Sequence, residues 1–329
     1  MRRPNSESPA ERTDEDEFAL VEYLRERFAG PPALAPGDLG IGDDAAAVTP
    51  AHPGPVLLAT DLVVEGVHVD RAVSSPEDIG WKALMVAVSD LAAMGADASH
   101  ALLSVAAPPG FPVARLADGV AEAAAACGCT VVGGDLSGSP VLVVSVTAVG
   151  SASGDAPLLR RDGARPGDVL VVTGPLGRSA AGMRLLGGPS TPGTGGEDPV
   201  PPELATAHRR PVARLAEGRA ARRVGATAAI DVSDGLVADV VHVAEASDVG
   251  LELTVGEDAV AAGATRDEAL GGGEDYELVL ATGDPDALAA AFAAAGLRPP
   301  IRIGTCTDHP GAFTLDGGPL PQEGWRHRF

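Results

Sequence analysis

Lysine is nearly missing from this chain of 329 residues. Lys82 is the single one, and Lys and Arg together number 24 against 46 Asp and Glu. Binding nucleic acid takes clustered Lys and Arg that displace phosphate counterions, so a formal charge of -22 argues against any nucleic-acid partner. Aromatic residues are only 3% of the chain, too few to build stacking platforms for bases. The three cysteines, Cys127, Cys129 and Cys306, are odd in number and lack zinc spacing, which excludes a disulfide framework and fits a reducing cytoplasm. No stretch of about 18 residues stays apolar without charge, and the N-terminus lacks the apolar core of a signal peptide, so neither membrane insertion nor export is expected. A Walker A loop is absent as well. Gly174 to Ser179 resembles one superficially but lacks the lysine, and the protein-kinase motifs are missing.

What is present begins with 45% hydrophobic residues, enough for one large core or two smaller ones. Residues 1–16, rich in Ser, Pro, Asp and Glu, read as a disordered tail ahead of a helix at 17–28. Residues 45–48 and 56–61 read as short strands. Ser75, Pro76 and Asp78 supply an N-cap, a first-turn proline and an acidic third position, and Gly95 supplies a C-cap, which bounds a helix at 76–94. A strand at 100–106, a helix at 112–126 and strands at 129–134 and 140–149 complete a first α/β unit. A second unit starts with a strand at 168–173 and a helix running into residue 187. Residues 187–202 are rich in Gly, Pro, Ser and Thr, without periodicity, and read as a mobile surface loop. Helices near 209–223, a strand at 226–231, a helix at 235–247, a strand at 250–255 and a strand-helix-strand at 276–304 follow.

Seven aspartates stand out: Asp43, Asp44, Asp61, Asp90, Asp135, Asp231 and Asp234. Two ionised carboxylates about 4 Å apart repel by roughly 4 kcal/mol at an effective dielectric of ~20, so bringing several together requires a countercharge. Mg2+ takes oxygen ligands and shares a few carboxylates with substrate phosphates, which points to nucleotide chemistry. Asp90 interrupts the apolar stripe of Ala83, Ala87 and Met94 on its helix, and a carboxylate there needs a partner. The string Gly40-Ile41-Gly42-Asp43-Asp44 also fits an ordinary turn, and Asp231-Val232-Ser233-Asp234-Gly235 also fits a helix cap. Gly133-Gly134-Asp135 ends a strand where missing side chains allow backbone amides to approach a ligand. The run Gly271-Gly272-Gly273-Glu274-Asp275-Tyr276 could equally be a turn into a strand. Taken alone, His68 and Arg161 carry no more than structural weight, and Lys82 reads as a packing or pairing residue.

In order along the chain, GIGDDAAAV (40–48), ATDLVVEGVHVD (59–70), DIGWKALMVAVSDLAAMGADA (78–98), VVGGDLSG (131–138), RDGARPGDVLVVTG (161–174), IDVSDGLVADVVHVAEASDVG (230–250) and GGGEDYELVL (271–280) resemble the thiamine-monophosphate kinase family. The resemblance implies an α/β (α+β) fold of two domains, like that of aminoimidazole ribonucleotide synthetase. An N-terminal domain at 17–150 would carry a mixed sheet, bind ATP and Mg2+ and form a homodimer, and a C-terminal α/β domain would span 151–329. It implies ATP-dependent phosphorylation of thiamine monophosphate to thiamine diphosphate, with several Mg2+ ions. By position Asp44, Asp61, Asp90, Asp135, Asp231 and Asp234 would hold metal, and Thr60 would do so through an oxygen, with Asp43 behind them. Gly134, Asp135, Arg161 and Ser233 would contact ATP, and His68, Glu274 and Trp325 the thiamine phosphate. Departures from the family pattern are Ala59 in place of a frequent Ser and Arg178 in place of a common Asp. Another ATP-dependent enzyme of the superfamily and a noncatalytic Mg-nucleotide binder are the rival readings. The chain lacks the N-terminal Cys of a selenophosphate synthetase and the C-terminal Cys of the hydrogenase maturation protein.

Overall fold

The computed structural model of the protein describes residues 17–30, 34–42, 45–187, 201–321 and 324–325. The expected tail at 1–16, residues 188–200 of the expected loop, and Asp43 and Asp44 lie outside these residues. Contacts divide the chain into two compact units, residues up to Ala87 with Ala98–Ser151, and Val88–Asp97 with the chain from Ala152 onward. The segment 88–97 therefore counts with the C-terminal unit, an excursion that no single boundary along the sequence expresses.

The first unit contains α1 (Glu17–Phe28), β1 (Leu57–Val64), the first part of α2 (Pro76–Ala93), β2 (Asp97–Ala107), α3 (Val113–Cys127), β3 (Thr130–Gly138) and β4 (Val143–Ser151). Helix α2 starts where its caps direct it. Ser75 Oγ accepts from the Asp78 N–H and the Asp78 carboxylate accepts from the Ser75 N–H, each at 3.2 Å, a reciprocal capping box. It stops at Gly95, whose φ of 68° lets Ala96 N–H turn back to Leu91 O at 3.0 Å. Residues 82–89 are buried on every side of the helix, the apolar run 83–88 together with Lys82 and Ser89 at its ends. The sheet has the order β1-β4-β2-β3, with β1 antiparallel to β4 and β2 parallel to β3, the mixed sheet that was expected. The strand expected at 45–48 is reduced to a single bridge between Leu39 and Ala47. Its residues are partly or fully exposed, and no sheet strand lies alongside them.

The second unit holds a seven-stranded sheet built from β5 (Val169–Val172), β6 (Ala228–Asp231), β7 (Gly250–Leu253), β8 (Leu278–Thr282), β9 (Ile301–Thr307), β10 (Phe313–Leu315) and β11 (Gly318–Pro319), in the order β11-β10-β7-β9-β5-β8-β6. Its helices are α4 (Arg178–Gly187), α5 (Pro202–Arg209), α6 (Leu215–Arg223), α7 (Leu236–Ser247), α8 (Arg266–Gly271) and α9 (Pro285–Ala294). Only β10 and β7 run parallel; the other pairings are antiparallel. Leu170, Ile230, Leu236, Val240, Leu251 and Val279, each at most 2% exposed, belong to one core under this sheet. The helices expected near 209–223 are two, and the first begins earlier. Pro202 occupies its first turn, where a missing N–H costs nothing, so prolines that read as loop in fact open a helix. Among the described residues no helix is long and apolar enough to cross a membrane.

Candidate functional site

In the first unit, strand alternation separates two neighbouring candidates. Thr60 is exposed on one face of the sheet, where its hydroxyl donates to Val146 O at 3.2 Å and accepts from Thr147 Oγ at 3.2 Å. Asp61 is half-buried on the opposite face. A shared ligand role would therefore draw on Thr60 through its main-chain carbonyl. Asp135 lies exposed on β3, paired in register with Ser104 of β2. Gly134 has a packing reason to lack a side chain, since a Cβ there would stand 1.7 Å from Leu103 O on the neighbouring strand. A cavity of about 790 Å3 opens beside these residues and is lined by Gly40, Ile41 and Gly42 as well as by Gly133, Gly134 and Asp135. Two strings far apart in sequence thus share one hollow, whose remaining wall is largely aliphatic, from α1, β2 and β4.

His68 sits in the turn after β1. Its Nδ1 accepts from the Val64 N–H at 3.2 Å, which assigns the ring proton to Nε2 and leaves that nitrogen as a donor. Beneath this turn the lone lysine is put to structural use. Lys82, 2% exposed, donates from Nζ to His68 O at 3.0 Å. A buried ammonium needs such partners, and here it anchors the loop that carries His68.

In the second unit Asp231 ends β6 and is 4% exposed. Its Oδ2 accepts from Ser89 Oγ at 2.7 Å, so the residue next to Asp90 on α2 is tied to it. Burial pushes the Asp231 carboxyl up, partly offset by the Ser89 hydrogen bond and by the charge of Arg161, which is itself exposed. Asp90 is half-buried. The loop after β6 is held by a residue that the sequence reading missed, Asp239. One oxygen of its side chain accepts from the N–H groups of Ser233, Asp234 and Gly235 at 3.0 to 3.1 Å, and burial together with Asp231 and Asp234 pushes its pKa up to about 8. The signal was present, an acidic residue in the first turn of α7.

The same loop collects the remaining candidates. Ser233 O accepts from the Glu274 N–H at 2.8 Å, and Asp234 O accepts from the Trp325 N–H at 2.9 Å. Glu274 (φ 67°) and Tyr276 (φ 50°) both sit in the left-handed region that non-glycine residues avoid, a conformation that persists only where surrounding contacts impose it. Those contacts come from flanking acids. Asp275 accepts from the Ser179 N–H at 3.1 Å, and Glu277, wholly buried, accepts from Thr173 Oγ at 2.6 Å and pairs with Arg214 at 2.6 Å and with Arg178. The Glu274 carboxylate lies 3.7 Å from His208 Nδ1, and Trp325 is 53% exposed. Nothing in the spacing marked Glu277 or His208, because their partners are distant in sequence, and Arg178 stood out only as a departure from the family pattern.

As donors, these residues fit a hard cation in kind, being carboxylates and main-chain oxygens. Among the described residues no three Asp, Glu, His or Cys side chains gather closely enough to enclose a metal.

Comparison with known proteins gives a consistent answer. Residues 42–152 match the model of the AIR synthase related protein N-terminal domain, and residues 165–316 that of the C-terminal domain. The chain is 41% identical over 312 residues to the thiamine-monophosphate kinase of Mycobacterium tuberculosis, covering 92% of this chain and 88% of that one. It is 36% identical over 273 residues to that of Bacillus subtilis, covering 80% and 82%. Among solved structures, the thiamine-monophosphate kinase of Stenotrophomonas maltophilia K279a superposes with a TM-score of 0.77 at 33% identity, covering 92% of this chain and 98% of that chain. A structure described as AaThiL complexed with AMPPCP and TMP gives 0.73 at 32% identity, covering 95% and 97%. The hydrogenase maturation protein HypE in complex with ATP, 20% identical with a TM-score of 0.72, shares the fold.

Proposed function

The chain belongs to the thiamine-monophosphate kinase family and is an enzyme of that kind, and from this premise we propose that it transfers the γ-phosphoryl group of ATP to thiamine monophosphate, giving thiamine diphosphate and ADP by direct in-line attack. The kinases it resembles carry that activity in their name, and the complex with AMPPCP and TMP supports ATP and thiamine monophosphate as the two substrates. The structural observation that carries the site reading is the convergence of Gly40–Gly42 and Gly133–Asp135 on one cavity.

Both reactants are anions, so the reaction needs neutralisation and alignment more than it needs a base. The attacking phosphate oxygen is already ionised at neutral pH, which explains why no Ser, Cys or His nucleophile is required. Asp44, Asp61, Asp90, Asp135, Asp231 and Asp234, with Thr60 through its carbonyl, would hold the magnesium. Magnesium, when bound, supplies countercharge between the two phosphates and templates their approach. Gly134, Asp135, Arg161 and Ser233 are assigned to ATP. A guanidinium such as that of Arg161 offers a forked pair of donors that suits phosphate oxygens. His68 is assigned to thiamine monophosphate, with Nε2–H as its donor, alongside Glu274 and Trp325. Residues 17–150 form the ATP, magnesium and dimerisation domain in this reading, and 151–329 the synthetase-like domain. The dimer forms through the exposed sheet face, which presents Leu58 at 70% and Leu62 at 56% exposure.

The test is direct. Purified protein with ATP, Mg2+ and thiamine monophosphate is expected to yield thiamine diphosphate and ADP in equal amounts. ADP formed without thiamine diphosphate would assign the chain to a sister activity, and neither product would leave a nucleotide binder.

A further inference from the structure

His208 lies on α5 and is 4% exposed, a buried imidazole that none of the roles assigned above uses. Close packing of α5 on α4 brings it inward. A Cβ at Gly182 would stand 2.2 Å from Leu204 O and 3.0 Å from His208 Cβ, so only glycine lets the two helices approach this far. The ring turns Nδ1 toward two oxygens, Ser179 Oγ at 3.2 Å and the Glu274 carboxylate at 3.7 Å. A bare lone pair facing a carboxylate would repel it, whereas an N–H attracts it, so the proton belongs on Nδ1. Ser179 closes the circuit, because its own N–H donates at 3.1 Å to Asp275, the residue after Glu274.

Glu274 is thereby held at two levels. Its main chain is fixed in the left-handed region (φ 67°), with its N–H donating to Ser233 O at 2.8 Å. The side-chain torsions remain to be set, and a long, partly exposed carboxylate loses rotamer freedom when a substrate immobilises it. A buried donor beside that carboxylate removes part of the cost in advance. Charge decides what the carboxylate can address: it repels a phosphate and attracts the positive ring and amino group of thiamine. We propose that His208 is a positioning residue for acceptor selection, its Nδ1–H, steadied by Ser179, presetting the Glu274 carboxylate toward the cationic heterocycle end of the substrate. This rests on the assignment of Glu274 to thiamine monophosphate. The ATP side is untouched, because the bond from Glu274 to the Ser233 loop runs through the main chain.

Steady-state kinetics of full-length variants, with ATP and thiamine monophosphate varied in turn, test this. His208→Leu fills the space without a donor and is expected to raise the KM for thiamine monophosphate about 10-fold, the scale of one lost hydrogen bond to a charged group. Its kcat and its KM for ATP should stay within about 2-fold of the parent. His208→Asn, whose amide nitrogen takes the place of Nδ1, should restore the acceptor KM, whereas His208→Gln, whose amide extends to the place of Nε2, should not. Adding His208→Leu to Glu274→Ala should raise the acceptor KM no further than Glu274→Ala alone, since the group that His208 aims is already gone. Calorimetric titration of thiamine monophosphate into each variant without ATP should give the same ranking independently of turnover. Should His208→Leu fail to fold, the contrast between Asn and Gln decides. The proposal is overturned if Glu274→Ala raises the acceptor KM and His208→Leu does not, or if the KM for ATP rises in step with it, the mark of a packing role. An acceptor KM unchanged in Glu274→Ala would instead remove the assignment of Glu274 to the substrate, and the proposal with it.

Discussion

Thr60 and Asp61 are adjacent in sequence and lie on opposite faces of the sheet, and that difference carries through to function. A carboxylate that holds a cation between two phosphates acts by charge, so removing the charge while keeping the shape should be silent for folding and severe for turnover. Asp61→Asn and Asp135→Asn are each expected to lower kcat by roughly 100-fold or more, the scale of losing one preorganised stabilising group, with the thermal midpoint little changed. Full turnover at saturating Mg2+ in either variant would remove that residue from the metal set. Asp239 makes a different prediction. Its folded pKa, about 8 against a reference of 3.8, means that the native state holds the proton longer than the unfolded chain does. Unfolding then releases a proton between those values, so stability should fall as pH rises from about 4 to about 8 in the absence of divalent cation. Asp239→Asn retains an acceptor for the three N–H groups and cannot ionise, so the slope of thermal midpoint against pH should flatten. An unchanged slope would locate the pH dependence elsewhere.

At the scale of elements, boundaries were legible wherever local chemistry sets them. The capping box of Ser75 and Asp78 and the turn at Gly95 depend on residues a few positions apart, and α2 begins and ends where they direct. The start of α5 was not legible, because Pro-rich sequence serves loops and helix first turns alike. Nor was the strand 45–48, since β-propensity needs a neighbouring strand to act on. The crossing of α2 and α3 is equally invisible in a single string. A Cβ at Gly119 would stand 1.8 Å from Glu77 O, and one at Gly80 would stand 2.0 Å from Leu116 O, so these helices pack backbone to backbone. Gly119→Ala should therefore destabilise the protein by about 1–3 kcal/mol, the usual range for overpacking, although alanine favours helix. Urea denaturation measures this, and a midpoint at or above that of the parent would show that the helices can part freely.

At the scale of the whole molecule, the four-stranded sheet presents exposed apolar side chains. Leu58 and Leu62 of β1 and Leu102 of β2 lie exposed, and apolar surface of that kind on a sheet is costly to leave in water. The proposed homodimer would bury it. Sedimentation should then find a dimer for the parent and a monomer for Leu62→Glu, because a charge on such a face cannot be desolvated without a partner. A dimer unaffected by the substitution would place the interface elsewhere.

The amino-acid sequence by itself determined the composition-level exclusions, most element positions, the family and the roster of acidic candidates. Each of these depends on residue identity or on neighbours within a few positions. Tertiary structure alone decided which strings meet: Gly40–Gly42 with Gly133–Asp135 around one cavity, Ser89 with Asp231, and the loop at Ser233 with Glu274 and Trp325. It also decided that Lys82 serves the His68 turn and that Thr60 looks away from Asp61. Such pairings depend on sheet register and long-range packing, which cost loop-closure entropy and leave no local periodicity to read.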